Sequence, residues 1–418
     1  MAEARDARRV NGRPLGIVSS AHFMVDAYSN MYAPLLPLLM PRLGMSLQAA
    51  GTLMMVFQAA ASLSQLLFGR LADRGHARLL LVVGPLVSAI VLSLIGLVQH
   101  ESMLALVLVV GGLGIAAFHP PGAMVAHTTG GTRPGTAMSV FVTSGTIGFA
   151  VAPLVVASAA GRYGLGSTIW FLLPGLASAL LFARAVPALP LAPPHRHGGG
   201  LRALRPQAGN LFLLYVLVVL RTVVSLSFAT FVPVLLTRQG MSVAEAGAAM
   251  ALYLFMSGIG GFWGGTLADR FGPRRVILLS FVLSTPFLLV APQATGWTFA
   301  LLLAVGGLFL QSTLPVNVSF GQALAPHSAA TVSSLMMGVA WGTGGMLVPV
   351  TGMMADAMGL PATLTVLAGL PIVAALLSTR LPPAPPLPMH VEPVEVNVPG
   401  VDPSADEDGR ASEARQGE

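Results

Sequence analysis

Residues 21–30 of the 418-residue chain read AHFMVDAYSN and set His22 four residues before Asp26, inside an apolar run from Leu15 to Met40. Side chains four apart share a helix face, so an imidazole and a carboxylate stand one turn apart in a segment long enough to cross a bilayer. A carboxylate there can hold or release a proton, and an imidazole beside it can pass that proton on. At 1.5 Å per residue, Asp26 lies about 16–18 Å into a hydrocarbon core about 30 Å thick. A charge at that depth costs about 2.5–3.5 kcal/mol on insertion scales, which is why such residues face a bundle interior or a wet cavity.

Few other side chains compete for this role. Of the six acids between residues 14 and 380, Asp73, Glu101, Glu245, Asp269 and Asp356 fall at segment ends or in loops, and only Asp26 is embedded. The embedded base is Arg221, in the seventh apolar segment. His119 precedes Pro120 and Pro121, where proline removes backbone donors and frees carbonyls that a histidine or a ligand could meet. The residue types point to proton exchange at Asp26, His22 and His119, and to substrate binding at Arg221, Gln58, Gln311 and Asn317. A bland reading stands beside each: an Asp26–Arg221 structural ion pair, a hydrogen-bonded core histidine at His22, and local helix repair at His119. No cofactor or metal is expected. His195 and His197 lie beside a glycine run in a linker and read as solvated.

The composition demands a membrane. Hydrophobic residues make up 54% of the chain and charged residues 9%, with a mean hydropathy of +0.77, whereas soluble proteins carry about 25% charged residues. Twelve apolar segments are predicted as spanning helices, at 15–40, 46–68, 79–99, 102–127, 135–159, 167–186, 209–236, 243–265, 274–292, 297–322, 328–355 and 360–379. Sixteen arginines fall on the side of the termini and three, Arg42, Arg162 and Arg238, on the other. That bias predicts both termini in the cytoplasm. The net charge of +6 resides in these short loops, because residues 381–418 carry two arginines and eight acids. It therefore gives no argument for nucleic acid as a partner.

The chain is also an internal repeat. GMSLQAAGTLM at 44–54 matches GMSVAEAGAAM at 240–250, and FGRLADRGHAR at 68–78 matches GGTLADRFGPR at 264–274, both at an offset of 196. The same shift carries Pro37 to Pro233 and Pro153 to Pro349, and places Arg221 opposite Val25 and Thr222 opposite Asp26. The expected fold is all-α: twelve transmembrane helices in two pseudo-symmetric six-helix bundles. The expected division is an arm at 1–13, bundles at 14–186 and 209–380, a linker at 187–208, and a disordered acidic, proline-rich tail at 381–418. Two bundles rocking about a shared midplane site are how many secondary transporters work.

The repeated loop gives the first resemblance. GRLADRGHAR at 69–78 and GTLADRFGPRR at 265–275 resemble the loop signature of the major facilitator superfamily. That resemblance implies a gate at the cytoplasmic side built from Gly69, Asp73, Arg74 and Arg78 and from Gly265, Asp269, Arg270 and Arg274. It also implies that helices one, four, seven and ten line the cavity, the set that carries Asp26, His119, Arg221, Gln311 and Asn317. FQAAASLSQ at 57–65, AFHPPGAMVAH at 117–127 and SVFVTSGTIGFAVAPL at 139–154, with the His22-x3-Asp26 opening, resemble the fosmidomycin-resistance branch, whose members are drug exporters. One departure is Pro121, where that branch carries a glutamate.

No GxxxxGK[ST], HExxH or nucleophile-elbow pattern is present, so neither an ATP-driven pump nor an enzyme is expected. The reading is a proton-coupled exporter of a small drug-like or anionic molecule, monomeric, in a bacterial inner membrane, with the lipid bilayer, protons and the substrate as partners. An uncoupled facilitator or importer of an organic anion, and a non-transporting sensor or scaffold, stay open on the sequence alone.

Overall fold

The structure is a computed structural model that describes residues 11–131, 134–191 and 201–383. Most of the arm, part of the linker and most of the acidic tail lie outside the described residues. The chain divides into two compact units, Met1–Ala384 and Pro385–Glu418, and both bundles belong to the first.

In the first bundle α1 (Gly12–Ser29) and α2 (Tyr32–Leu43) form one broken span, followed by α3 (Leu47–Gln58) and α4 (Gln65–Leu71) joined through a π-helical turn. Next come α5 (Ala77–Ser93), α6 (Glu101–Thr129), α7 (Pro134–Tyr163) and α8 (Leu172–Ala185). The second bundle begins with α9 (Ala208–Arg238), α10 (Val243–Phe271) and α11 (Pro273–Val290). The tenth span is α12 (Gly296–Gln311) and α13 (Thr313–Leu324). The eleventh is α14 (Ala329–Ser333), α15 (Ala340–Met346) and α16 (Val348–Met358), and the twelfth is α17 (Leu360–Leu367) and α18 (Leu370–Ser378).

Among the described residues ten continuous helical runs are long and apolar enough to cross a membrane, one of them the 51-residue stretch Leu47–Leu97. That run would measure about 76 Å if straight, far beyond a bilayer. Instead it reverses at Gly75, whose φ of 94° is open to glycine but strained for other residues. Its two limbs lie against α6 in opposite senses: Phe57 and Ala60 meet Gly112 while Gly69 meets Pro120, whereas Gly84 meets Phe118 and Leu92 meets Gly111. The first span falls short of a continuous run because it breaks at Asn30, whose side-chain amide donates to the Phe149 carbonyl at 2.8 Å.

The two bundles meet reciprocally at the membrane end opposite the termini. A Cβ on Gly51 would lie 2.8 Å from the Val348 carbonyl oxygen and 3.1 Å from Pro349 Cα, and one on Gly247 would lie 2.5 Å from the Pro153 carbonyl oxygen. Gly51 and Gly247, like Pro153 and Pro349, are related by the offset of 196, so these contacts are symmetry mates. A third contact has no mate. The Asp356 carboxylate accepts from the backbone N–H groups of Leu47 and Gln48 at 3.0 and 2.8 Å, capping α3 from the other bundle. At the matching start of α10, Ser242 and Glu245 form a capping box within their own helix.

Charge-assisted bonds of this kind contribute about 1.5–3 kcal/mol. Asp356→Ala is therefore expected to populate conformers open at this end. Spin labels on cysteines at exposed Pro41 and Met358 would report longer distances in the variant, and the native chain has no cysteine to interfere. An unchanged distance distribution would mean that Asp356 does not hold the end closed.

Candidate functional site

Asp26 sits at the meeting of α1, α6 and α7. Its Oδ2 lies 3.2 Å from His22 Nε2, and its Oδ1 lies 3.1 Å from His119 Nε2. The other nitrogen of each ring is anchored: His22 Nδ1 donates to the Phe141 carbonyl at 2.7 Å, and His119 Nδ1 donates to the Ile115 carbonyl at 2.8 Å. The His22 ring stacks on Phe141 with centroids 3.9 Å apart and meets His119 edge-on at 5.1 Å. Side-chain exposure falls from 23% at His119 through 17% at Asp26 to 6% at His22, which makes His119 the wet end of the cluster.

Two local features position these groups. Gly145 on α7 faces the cluster so closely that a Cβ there would lie 2.5 Å from Asp26 Oδ2 and 2.6 Å from His22 Nε2. One turn on, Gly148 packs on the Phe23 backbone. On α6, Pro120 and Pro121 leave the helix continuous from Glu101 to Thr129. His119 reaches the Ile115 carbonyl rather than those of Ala116 and Ala117, which the prolines deprive of donors. The imidazole and carboxylate atoms of the three residues all lie within 4.8 Å of one another.

Arg221 departs from its bland reading. It does not pair with Asp26: among the described residues the ion pairs within 4.0 Å are the two made by Asp26 with histidines. Instead the guanidinium turns into its own bundle, donating from Nη1 to Gln311 Oε1 at 2.6 Å and from Nη2 to Thr222 Oγ1 at 3.1 Å. Its Cζ lies 5.1 Å from the centroid of Trp341, within the range of a cation–π contact. Arg221 is 1% exposed and its Nε has no partner. Asp26 and Arg221 thus each anchor a polar cluster within their own bundle.

The repeat explains their layout. At the offset of 196, Gly145 corresponds to Trp341 and Ile115 to Gln311. In both bundles the first helix turns its charged residue toward the fourth. Glycine backbone packs against the acid in one, and an indole covers the base in the other.

Asn317 is buried at 1% exposure with neither side-chain atom partnered. Gln58 donates weakly to Ser62 Oγ at 3.5 Å, and its Cγ lies 2.9 Å from the Cβ position of Gly345, so it belongs to the interface between the bundles. The loop residues lie at the end of the termini. Gly69 and Gly265 each have one distant neighbour, Pro120 and Pro315. Arg74, Arg78, Asp269, Arg270 and Arg274 are exposed, and Asp73 is half-buried. Among the described residues neither loop carboxylate makes an ion pair. Arg274 donates to the Thr379 carbonyl, and Arg270 lies over the Phe271 ring.

Sequence reasoning passed over Trp341 and Phe141. Trp341 carried a signal: of four tryptophans, Trp170, Trp263 and Trp297 are exposed on the outer surface, as interfacial aromatics are, and Trp341 is the one drawn inward.

The Major Facilitator Superfamily profile matches residues 18–235 and 211–401. The fosmidomycin resistance protein of Escherichia coli (strain K12) is 28% identical over 374 residues, covering 87% of this chain and 91% of that protein. The uncharacterized MFS-type transporter YfnC of Bacillus subtilis (strain 168) is 28% identical over 382 residues, covering 86% and 90%. Among solved structures, a bacterial homologue of the human lysosomal transporter Spinster, inward-facing and unoccupied, superimposes with a TM-score of 0.74 at 17% identity, over 88% of this chain and 96% of that one.

Proposed function

The chain belongs to the Major Facilitator Superfamily, and from that premise we propose that this multi-pass secondary transporter is a proton-coupled exporter of a small drug-like or anionic molecule, working by alternating access. It is a transporter rather than an enzyme. The observation that carries the coupling is Asp26 held between two histidines, three titratable groups in one place within an apolar bundle. Asp26, His22 and His119 exchange protons, and Arg221 with Gln311, Asn317 and Gln58 receives the substrate.

Because Arg221 has no carboxylate beside it, the two do not compete directly. Coupling passes instead through helix packing, since α7 lies on Asp26 and His22 at Gly145 and on the Phe23 backbone at Gly148. The repeated loops, with Asp73 and Asp269, form the gate on the side of the termini, which the arginine bias assigns to the cytoplasm of a bacterial inner membrane. Export is supported by the name of the Escherichia coli relative.

Asp26→Asn keeps the shape and removes the charge. In proteoliposomes it is expected to abolish transport driven by a pH gradient while leaving substrate counterflow measurable. Full pH-driven transport by this variant would refute the coupling role. The uncompensated Arg221 supports a second reading, a facilitator or importer of an organic anion, in which a pH gradient drives nothing in the parent protein either.

A further inference from the structure

We infer that the His22–Asp26–His119 cluster stores two protons rather than one, a claim that rests on the proton-coupled reading for its use in transport but not for its existence. The argument is a count of donors. Carbonyl oxygens only accept hydrogen bonds, so the Nδ1 of His22 and of His119, at 2.7 and 2.8 Å from the carbonyls of Phe141 and Ile115, both carry hydrogen. In a neutral imidazole the second nitrogen is then a bare lone pair. Yet both Nε2 atoms lie at 3.2 and 3.1 Å from oxygens of the same carboxylate. A bare nitrogen facing a bare carboxylate oxygen is repulsive at either contact.

Each of the two contacts therefore contains a proton. Whether a given proton sits nearer nitrogen or oxygen changes its address and not the number. The loaded cluster has a charge of +1, from two protons on two neutral rings and one carboxylate, and the emptied cluster has a charge of −1.

The surroundings supply no substitute charge. Around α1 pack α5, α6, α7 and α8; beyond His119 their titratable or charged residues are Arg78, Glu101, His127, Arg162, Tyr163 and Arg184. All six lie within three residues of a helix end, roughly two turns or more from the level of Asp26. On α1 itself Tyr28 donates to the Phe171 carbonyl, and Arg13 stands at the helix start. No neighbouring acid can take the second proton, so both belong to the cluster. The exposure gradient gives their order: the proton on the His119 contact exchanges first, and the one on the His22 contact follows.

The test is a direct count on the full chain in lipid nanodiscs, with solvent protons as the probe. Histidine is labelled with 15N and aspartate with 13C at the carboxyl, and spectra are recorded near neutral pH. Signals of His22, His119 and Asp26 are assigned by their disappearance in His22→Gln, His119→Gln and Asp26→Asn. Beyond the two Nδ1 hydrogens, two protons are expected over the three groups in the parent, one in His119→Gln and at most one in Asp26→Asn, whose amide nitrogen itself donates to one ring. A count of one in the parent overturns the proposal. If His22→Gln does not fold, the Asp26→Asn comparison still supplies the parent count. Two protons together with pH-driven transport intact in Asp26→Asn would sink the coupling role and leave the count standing. One proton with that transport lost would do the reverse.

Discussion

Arg221→Met is expected to lose transport while melting close to the parent. The guanidinium is 1% exposed, has no carboxylate within ion-pair distance and leaves Nε without a partner. Carrying such a charge near the membrane centre costs about 2.5–3.5 kcal/mol on insertion scales. Against that stand the bonds to Gln311 and Thr222 and the Trp341 contact. A cation–π contact is worth up to about 2 kcal/mol when desolvated, and each bond from the charged guanidinium about 1.5–3 kcal/mol, so together they offset the cost of the charge. Methionine fills a similar length without the charge and adapts to irregular packing. If Arg221 instead exists to hold the fold together, thermal melting of the purified variant will show a clear loss, with transport surviving in the folded fraction. Substrate flux and melting temperature measured on one preparation separate the two roles.

Gly148→Ala is expected to damage both folding and coupling, although it adds one methyl group. The new Cβ would lie 2.0 Å from the Phe23 carbonyl oxygen and 2.8 Å from its carbon. Both are backbone atoms that cannot rotate away, so α1 and α7 must separate. Overpacking of this kind costs about 1–3 kcal/mol, and rigid backbone puts this site at the upper end. The same separation stretches the bond from His22 to the Phe141 carbonyl, which is 2.7 Å long in the parent, and frees the ring that faces Asp26. Gly166→Ala, with nothing within 4 Å of its Cβ, is the matched control and should behave as the parent. Equal melting temperatures for the two variants would show that α1 and α7 are not held as the structure places them.

Much of this was legible in the sequence because membranes tolerate few solutions. Apolar runs of about 20 residues announce spans, and an offset of 196 shared by two loops and two prolines announces a duplication. The pairing of His22 with Asp26 followed from helical spacing alone. What the sequence withheld was direction. Arg221 and Asp26 stand at adjacent repeat positions, and counting residues places them at similar depth, but depth does not say which way a side chain turns within its bundle. That depended on Gln311, which offers Arg221 an acceptor where the first bundle has Ile115, and on Trp341, which covers it where the first bundle has Gly145. The carbonyl anchors of His22 and His119 were hidden for a related reason, since backbone acceptors have no letter of their own.

The reciprocal contacts at the end opposite the termini limit how that end can open. Gly51 packs on Val348 and Pro349 while Gly247 packs on Pro153, and because the offset of 196 exchanges the two pairs, a rigid rotation of one bundle against the other stretches both by the same amount. Opening is then a concerted event with a single barrier, and half-open conformers stay sparsely populated. The unmatched Asp356 bonds add to that barrier on one side only. They set how often this end opens without choosing where it parts.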